Sequence, residues 1–196
     1  MQTLPCLLAL LILIPVFPAV ADGAGGLVGL QIGGSFPTDE FGRVVDNGWE
    51  GGFTATTFGL RNVGIGVDVA YHRWSGSLDS TPLGAPLLGP GWRVDVNAIQ
   101  YTAHLMFMPR IGGKLRPYAR SGTGFYWLRS DLSRADFSAK GDWDPSWTYH
   151  VGAGVILDGT PSDLGIGATY QVIQDSGADL TLYTVAASLM WGGGPK

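Results

Sequence analysis

The stretch "YHVGAGVILDGTPSDLGIGATYQV", Tyr149 to Val172, places large apolar residues on every second position. A period of two belongs to β-strands, whose successive side chains point to opposite faces of the sheet. The alternate positions are the stronger constraint, because they hold Gly, Thr, His and Gln and almost no charge. Such a chain has one greasy face and one small, weakly polar face, and water is a poor solvent for the first.

The same alternation recurs along the chain. "GGLVGLQIGG" sets Val28, Leu30 and Ile32 against Gly29, Gln31 and Gly33, and "WEGGFTATTF" sets Trp49, Gly51, Phe53, Ala55 and Thr57 against Glu50, Gly52, Thr54 and Thr56. "VGIGVDVAYHRW" opposes Val63, Ile65, Val67, Val69 and Tyr71 to Gly64, Gly66, Asp68, Ala70 and His72. A fourth strand opposes Ile99, Tyr101, Ala103, Leu105 and Phe107 to Gln100, Thr102, His104 and Met106. Upstream its apolar parity passes to Val94 and Val96, so one continuous greasy face requires a bulge near Asn97 or Ala98. The fifth, "PYARSGTGFYWL", puts Arg120 on the small-residue face and Trp127 on the other. Two more strands lie in the opening stretch, with Trp147 outward and His150 inward, and "LTLYTVAASLMW" is the eighth, ending outward on Trp191.

The links between these strands alternate in length. Long segments around 43–48, 75–91 and 128–146 gather at one end, and short turns such as "GLRN", "PRIGGK" and "DGTPSD" at the other. Eight antiparallel strands in this order describe an up-and-down sheet.

Three architectures share the pattern. A soluble sandwich or a lipocalin-like barrel turns the greasy face inward and must clothe the other face in charge, roughly 25–35% of its surface. Here charged residues are 14% of the chain and concentrate in the links. A transmembrane barrel reverses the assignment: large residues meet hydrocarbon, and small ones fill a lumen that eight strands leave narrow. Closure also satisfies every backbone polar group, as lipid demands. The expected fold is therefore all-β, an eight-stranded antiparallel up-and-down transmembrane β-barrel. Aromatic residues at the strand ends, Trp49, Tyr71, Trp127 and Trp147 towards the long links and Phe107 and Trp191 towards the turns, are placed as headgroup girdles.

Residues 1–21, "MQTLPCLLALLILIPVFPAVA", have an uncharged apolar run and an Ala-Val-Ala ending, which reads as a cleaved signal peptide followed by a barrel domain over 22–196. Cys6 lies in that segment, so the mature chain has no thiol or disulfide. The net charge of −4 disfavours nucleic acid as a partner.

Three stretches, "GGSFPTDEFG", "LRPYARSGTGFYW" and the terminal "LYTVAASLMW", together with the repeat of strands from about Gly25 to Trp191, resemble the small eight-stranded outer-membrane β-barrel family, which includes OmpA- and OmpX-like proteins and the opacity proteins. The resemblance implies an exported monomer in the outer membrane of a Gram-negative cell. It also implies contact with outer-membrane lipid and lipopolysaccharide, assembly by the barrel-insertion machinery, and a host or surface partner met through the long loops.

Because some barrels of this size modify lipids, the ionisable residues need weighing. His72, Ser75 and Asp79 contain the residue types of a hydrolytic triad, but His72 and Ser75 differ by an odd number and face opposite sides of a regular strand. Glu50, Asp68, His72, His104, Arg120 and His150 all have inward parity, and buried charges survive only when paired, as in Glu50 or Asp68 with Arg120. They are expected to form a polar network closing the lumen rather than a conducting path. No metal-ligand spacing or phosphate loop is present, so neither metal nor cofactor is expected. "DLSRADFSAKGDWDP" concentrates Asp with two aromatics in the third long link, as a solvated loop or a ligand contact. The expected role is non-enzymatic, in envelope integrity or surface interaction, with a lipid-modifying barrel hydrolase or a small pore as alternatives.

Overall fold

A computed structural model describes residues 25–60, 62–80, 90–109, 111, 113–174 and 179–193. The proposed signal peptide, and the centre of the second long link, lie outside the described residues. The described residues form nine strands: β1 (Gly25–Thr38), β2 (Gly48–Leu60), β3 (Val63–Ser77), β4 (Arg93–Phe107), β5 (Leu115–Arg134), β6 (Phe137–Lys140), β7 (Asp144–Leu157), β8 (Asp163–Gln174) and β9 (Asp179–Gly193). A single helical turn, α1 (Asp39–Gly42), follows β1, and a 3₁₀ turn over Leu78–Ser80 follows β3. Eight of the strands pair antiparallel with their sequence neighbours, and β1 pairs with β9 from Gly26↔Gly193 to Thr38↔Thr181, which closes the barrel. The ninth, β6, is a short arm on the end of β5, matched from Asp131↔Lys140 to Arg134↔Phe137.

The outer surface carries the large apolar side chains. Leu30, Ile32, Ile65, Leu105, Val151, Leu164 and Ile166 are each more than half exposed, which no water-facing sheet of this size sustains. Rings gather at one level of this face towards the long links. Trp49 packs with Tyr71 (centroids 5.6 Å apart), Tyr101 with Trp127 (5.1 Å), Phe125 with Trp147 (4.8 Å), and Tyr170 with Tyr183 (5.0 Å).

Inward glycines stand where a neighbouring strand lays a large side chain across the lumen. A Cβ at Gly122 would sit 2.6 Å from the His150 ring, and one at Gly154 2.6 Å from the Tyr118 hydroxyl. The small face is small because its partners are not.

Two features depart from the reading of the sequence. The expected bulge near Asn97 and Ala98 is absent: β4 pairs without a break with β3 from Val63↔Phe107 to Ser77↔Arg93, and with β5 from Arg93↔Ser133 to Phe107↔Ala119. The register irregularity lies instead between Phe58 and Leu60. Val94, Val96 and Ala98 therefore point inward and are buried. Secondly, the segment 128–146 is mostly not a loop, because β5 continues to Arg134 and returns through β6. The eight barrel strands, at 12–20 residues, also exceed the nine to eleven needed to cross a bilayer.

Both departures and the length of the strands share one cause. Beyond the aromatic level the outside turns polar and the inside turns apolar. Arg73 and Asp95 approach to 3.7 Å, Ser75 donates to Asp95 at 2.5 Å, and Arg129 bonds Asp131 at 2.9 Å on the outer face. On the inner face Val94, Val96, Trp74, Tyr126, Ile173 and Leu182 pack with Phe41 of α1. The upper barrel projects into water and has the ordinary core of a soluble sheet. A lipid-facing charge near the midplane is correspondingly expected to be costly: Val151→Arg should lower stability by about 2–4 kcal/mol in urea titrations of the barrel folded in phospholipid vesicles.

Candidate functional site

The lumen is built in three layers. Its upper layer is the apolar cluster around Trp74, with the indole stacked on His72 (5.3 Å between centroids) and donating to Ser35 Oγ at 3.1 Å. Its lower layer is a second apolar cluster near the short turns, formed by Leu27, Phe58, Met106, Met108, Tyr118, Ile156 and Met190. Between them lies a polar layer. The expectation of a polar interior thus holds only for the middle third, because both ends of a narrow tube are sealed most cheaply by side chains that need no partners.

Within the polar layer Asp68 is the hub. Its carboxylate accepts from His104 Nδ1 at 2.9 Å, from Arg120 Nη1 at 3.3 Å and from the Thr102 hydroxyl at 3.5 Å. Bonds continue outward from each partner, His104 Nε2 to the Thr56 hydroxyl (2.9 Å) and Arg120 Nη2 to Thr169 Oγ1 (2.9 Å). A second group lies directly above. His72 Nε2 meets Gln100 Oε1 at 2.9 Å, and the Tyr126 hydroxyl reaches both Gln100 Oε1 (2.9 Å) and Gln171 Oε1. Gln100 Nε2 donates to Thr102 Oγ1 at 3.1 Å, joining the two groups into one network across the barrel. Glu50 Oε2 sits 3.3 Å from His72 Nδ1, and Glu50, Asp68 and His72 are all buried.

Of the six inward ionisable residues, five meet in this arrangement. Asp68, not Glu50, is the partner of Arg120. His150 stands apart: it is buried beside Gly122, and neither ring nitrogen bonds to a described residue. Gln100, Thr102, Tyr126 and Gln171 complete the network and escape a reading confined to ionisable groups, although their inward parity was visible. Beside Arg120 a void of about 20 Å³, lined by Gln31, Thr54, Tyr118 and Thr169, has room for about one water molecule. Near the turns, Arg116 is paired with both Asp158 and Asp163.

His72, Ser75 and Asp79 do not converge. His72 is inside the lumen, Ser75 faces out towards Asp95, and Asp79 accepts the Gly91 amide at 2.9 Å. No group of three or more His, Cys, Asp and Glu among the described residues could hold a metal.

The Asp68–Arg120 pair yields a test of the network. Asp68→Asn strands a buried guanidinium and should cost about 3–5 kcal/mol in urea titration, with partial recovery in the double variant Asp68→Asn/Arg120→Gln.

No protein-family model matches the chain, and no curated protein matches it in sequence. Solved structures do. Neisserial surface protein A superposes with a TM-score of 0.60 at 15% identity, over 86% of this chain and 97% of that one. The attachment invasion locus protein Ail of Yersinia pestis follows with a TM-score of 0.53 at 12% identity, over 86% and 99%. Its complex with the heparin analogue sucrose octasulfate gives 0.52 at 16% identity, over 85% and 99%. At these identities the likeness concerns architecture, and it agrees with the closed ladder and the apolar outer belt: the chain has the fold of the small eight-stranded outer-membrane β-barrels.

Proposed function

We propose that this chain is a non-enzymatic outer-membrane protein whose barrel anchors a projecting, water-exposed rim for surface interaction. Residues 1–21 direct its export and are removed, leaving the barrel over 22–196. The observation that carries the reading is the sealed lumen, a layer hydrogen-bonded from His72 to Thr169, with Glu50 against His72, held between two apolar clusters. A tube filled in this way supports a structural role for Glu50, Asp68, His72, His104 and Arg120, with His150 packed beside them. Trp49, Tyr71, Trp127 and Trp147 mark the outer headgroup level, and Phe107 and Trp191 the inner one.

What remains for function is the rim. The strands that overshoot the girdle, α1 and the β5–β6 hairpin form a structured platform, the kind of surface on which binding residues sit. The Ail complex with the heparin analogue sucrose octasulfate supports a barrel of this fold as a protein that takes a soluble ligand.

Two measurements test the reading. The protein should be recovered in the outer-membrane fraction and should migrate faster unboiled than boiled on SDS gels; absence from that fraction with no shift would overturn the membrane assignment. In planar bilayers it should give no steady single-channel conductance, and a reproducible conductance would overturn the sealed lumen.

A further inference from the structure

A cavity of about 220 Å³ opens at the outer mouth of the barrel, just above the upper apolar cluster. Its floor is Phe41 of α1, Val96 of β4, Leu128 of β5 and Leu180 of β9. One wall is the start of β7 and the residues just before it, where Asp142, Asp144 and Ser146 line it. Apolar cavities of about 150 Å³ already hold a benzene ring, so this one accommodates a single ring or a short branched chain.

The polar wall is chemically one-sided. Asp142 and Asp144 are exposed at the rim, and neither forms an ion pair with a described residue. Arg129, on the neighbouring strand, is engaged by Asp131 at 2.9 Å and lies over the Trp143 ring at 5.2 Å, so it does not neutralise them. Ser146 lines the space and is only 5% exposed, and no hydrogen bond joins its hydroxyl to a described residue. Its unused capacity, two carboxylates and an apolar floor face one space.

We propose that this mouth pocket binds a small organic cation, a primary ammonium carried on an aromatic or short aliphatic body. The apolar body fills the floor against Phe41 and Leu128, the ammonium meets Asp142 and Asp144, and one N–H reaches the Ser146 hydroxyl. Charge-assisted hydrogen bonds to two carboxylates select a cation over a neutral molecule of the same shape, and they repel an anion. The proposal names a partner class for the outer rim and rests on the reading of that rim as the outward face.

The test uses the folded protein in phospholipid nanodiscs, which keep detergent tails out of the pocket, with amide NMR shifts at Gly141 and Ser146 as readout. The probe is phenethylammonium, compared with neutral 3-phenylpropan-1-ol and anionic 3-phenylpropanoate. Saturable shifts are expected with the ammonium, at least ten-fold weaker binding with the alcohol, and none with the carboxylate. The variant D142N/D144N, changed only at exposed positions, should lose at least ten-fold in affinity, and S146A a few-fold. Absence of a saturable shift, or unchanged affinity in D142N/D144N, would overturn the proposal. Such a failure leaves the gel-shift and conductance tests of the barrel untouched, so the two readings fall separately.

Discussion

The rest of this structure depends on the ladder between the first and last strands. In hydrocarbon an unpaired backbone N–H or C=O costs several kcal/mol, and a sheet with a free edge would expose a whole row of them. The β1–β9 pairing removes that edge. Once the ring is closed with eight strands, its interior is too narrow for bulk water and too polar in its backbone surroundings to stay empty, so side chains must fill it. The glycines, the central polar network and the two apolar seals are three answers to that one demand. Each large inward residue is accommodated by small ones opposite, as Tyr118 is by Gly154 and His150 by Gly122.

The polar layer depends on Asp68 in a different sense. A buried carboxylate tolerates its surroundings only when every oxygen is occupied, and here a ring nitrogen and a hydroxyl from β4 and a guanidinium from β5 do so. The contacts tie β3, β4 and β5 and, through Arg120 and Thr169, reach β8 beyond β7, so they are not confined to neighbouring ladders. Cross-lumen ties of this kind resist ovalisation of the barrel, a deformation that backbone ladders alone oppose weakly because each ladder can hinge.

Much of the fold was legible in the sequence because period-two patterning is a direct consequence of strand geometry. Leu30 and Ile32 against Gly29 and Gln31, or Val69 and Tyr71 against Asp68 and His72, leave no ambiguity about which side chains share a face. The same alternation put Asp68, His104 and Arg120 on one side, but parity gives a face and not a height along the barrel. That is why Glu50 and Asp68 were equivalent candidates for Arg120, and why His150 was grouped with residues it does not bond. The upper rim was misread for a physical reason. Alternation marks one continuous greasy face only where a single solvent surrounds the barrel, and Val94 and Val96 switch parity because the solvent changes from lipid to water at that level. The charges at Arg73, Asp95, Arg129 and Asp131, outward in parity yet unsuited to lipid, were the signal for this change.

That reversal of polarity gives the molecule a waterline. Sinking by one residue pair would drag the outward charges at Arg73, Asp95, Arg129 and Asp131 into hydrocarbon, and rising by the same step would lift Leu30, Ile65 and Val151 towards water. Both displacements meet a restoring force that grows with depth, since a charge costs more nearer the midplane. The barrel therefore floats at a depth set by its own side chains, and the height of its rim above the headgroups is a built-in dimension of the protein rather than a property of the bilayer that holds it.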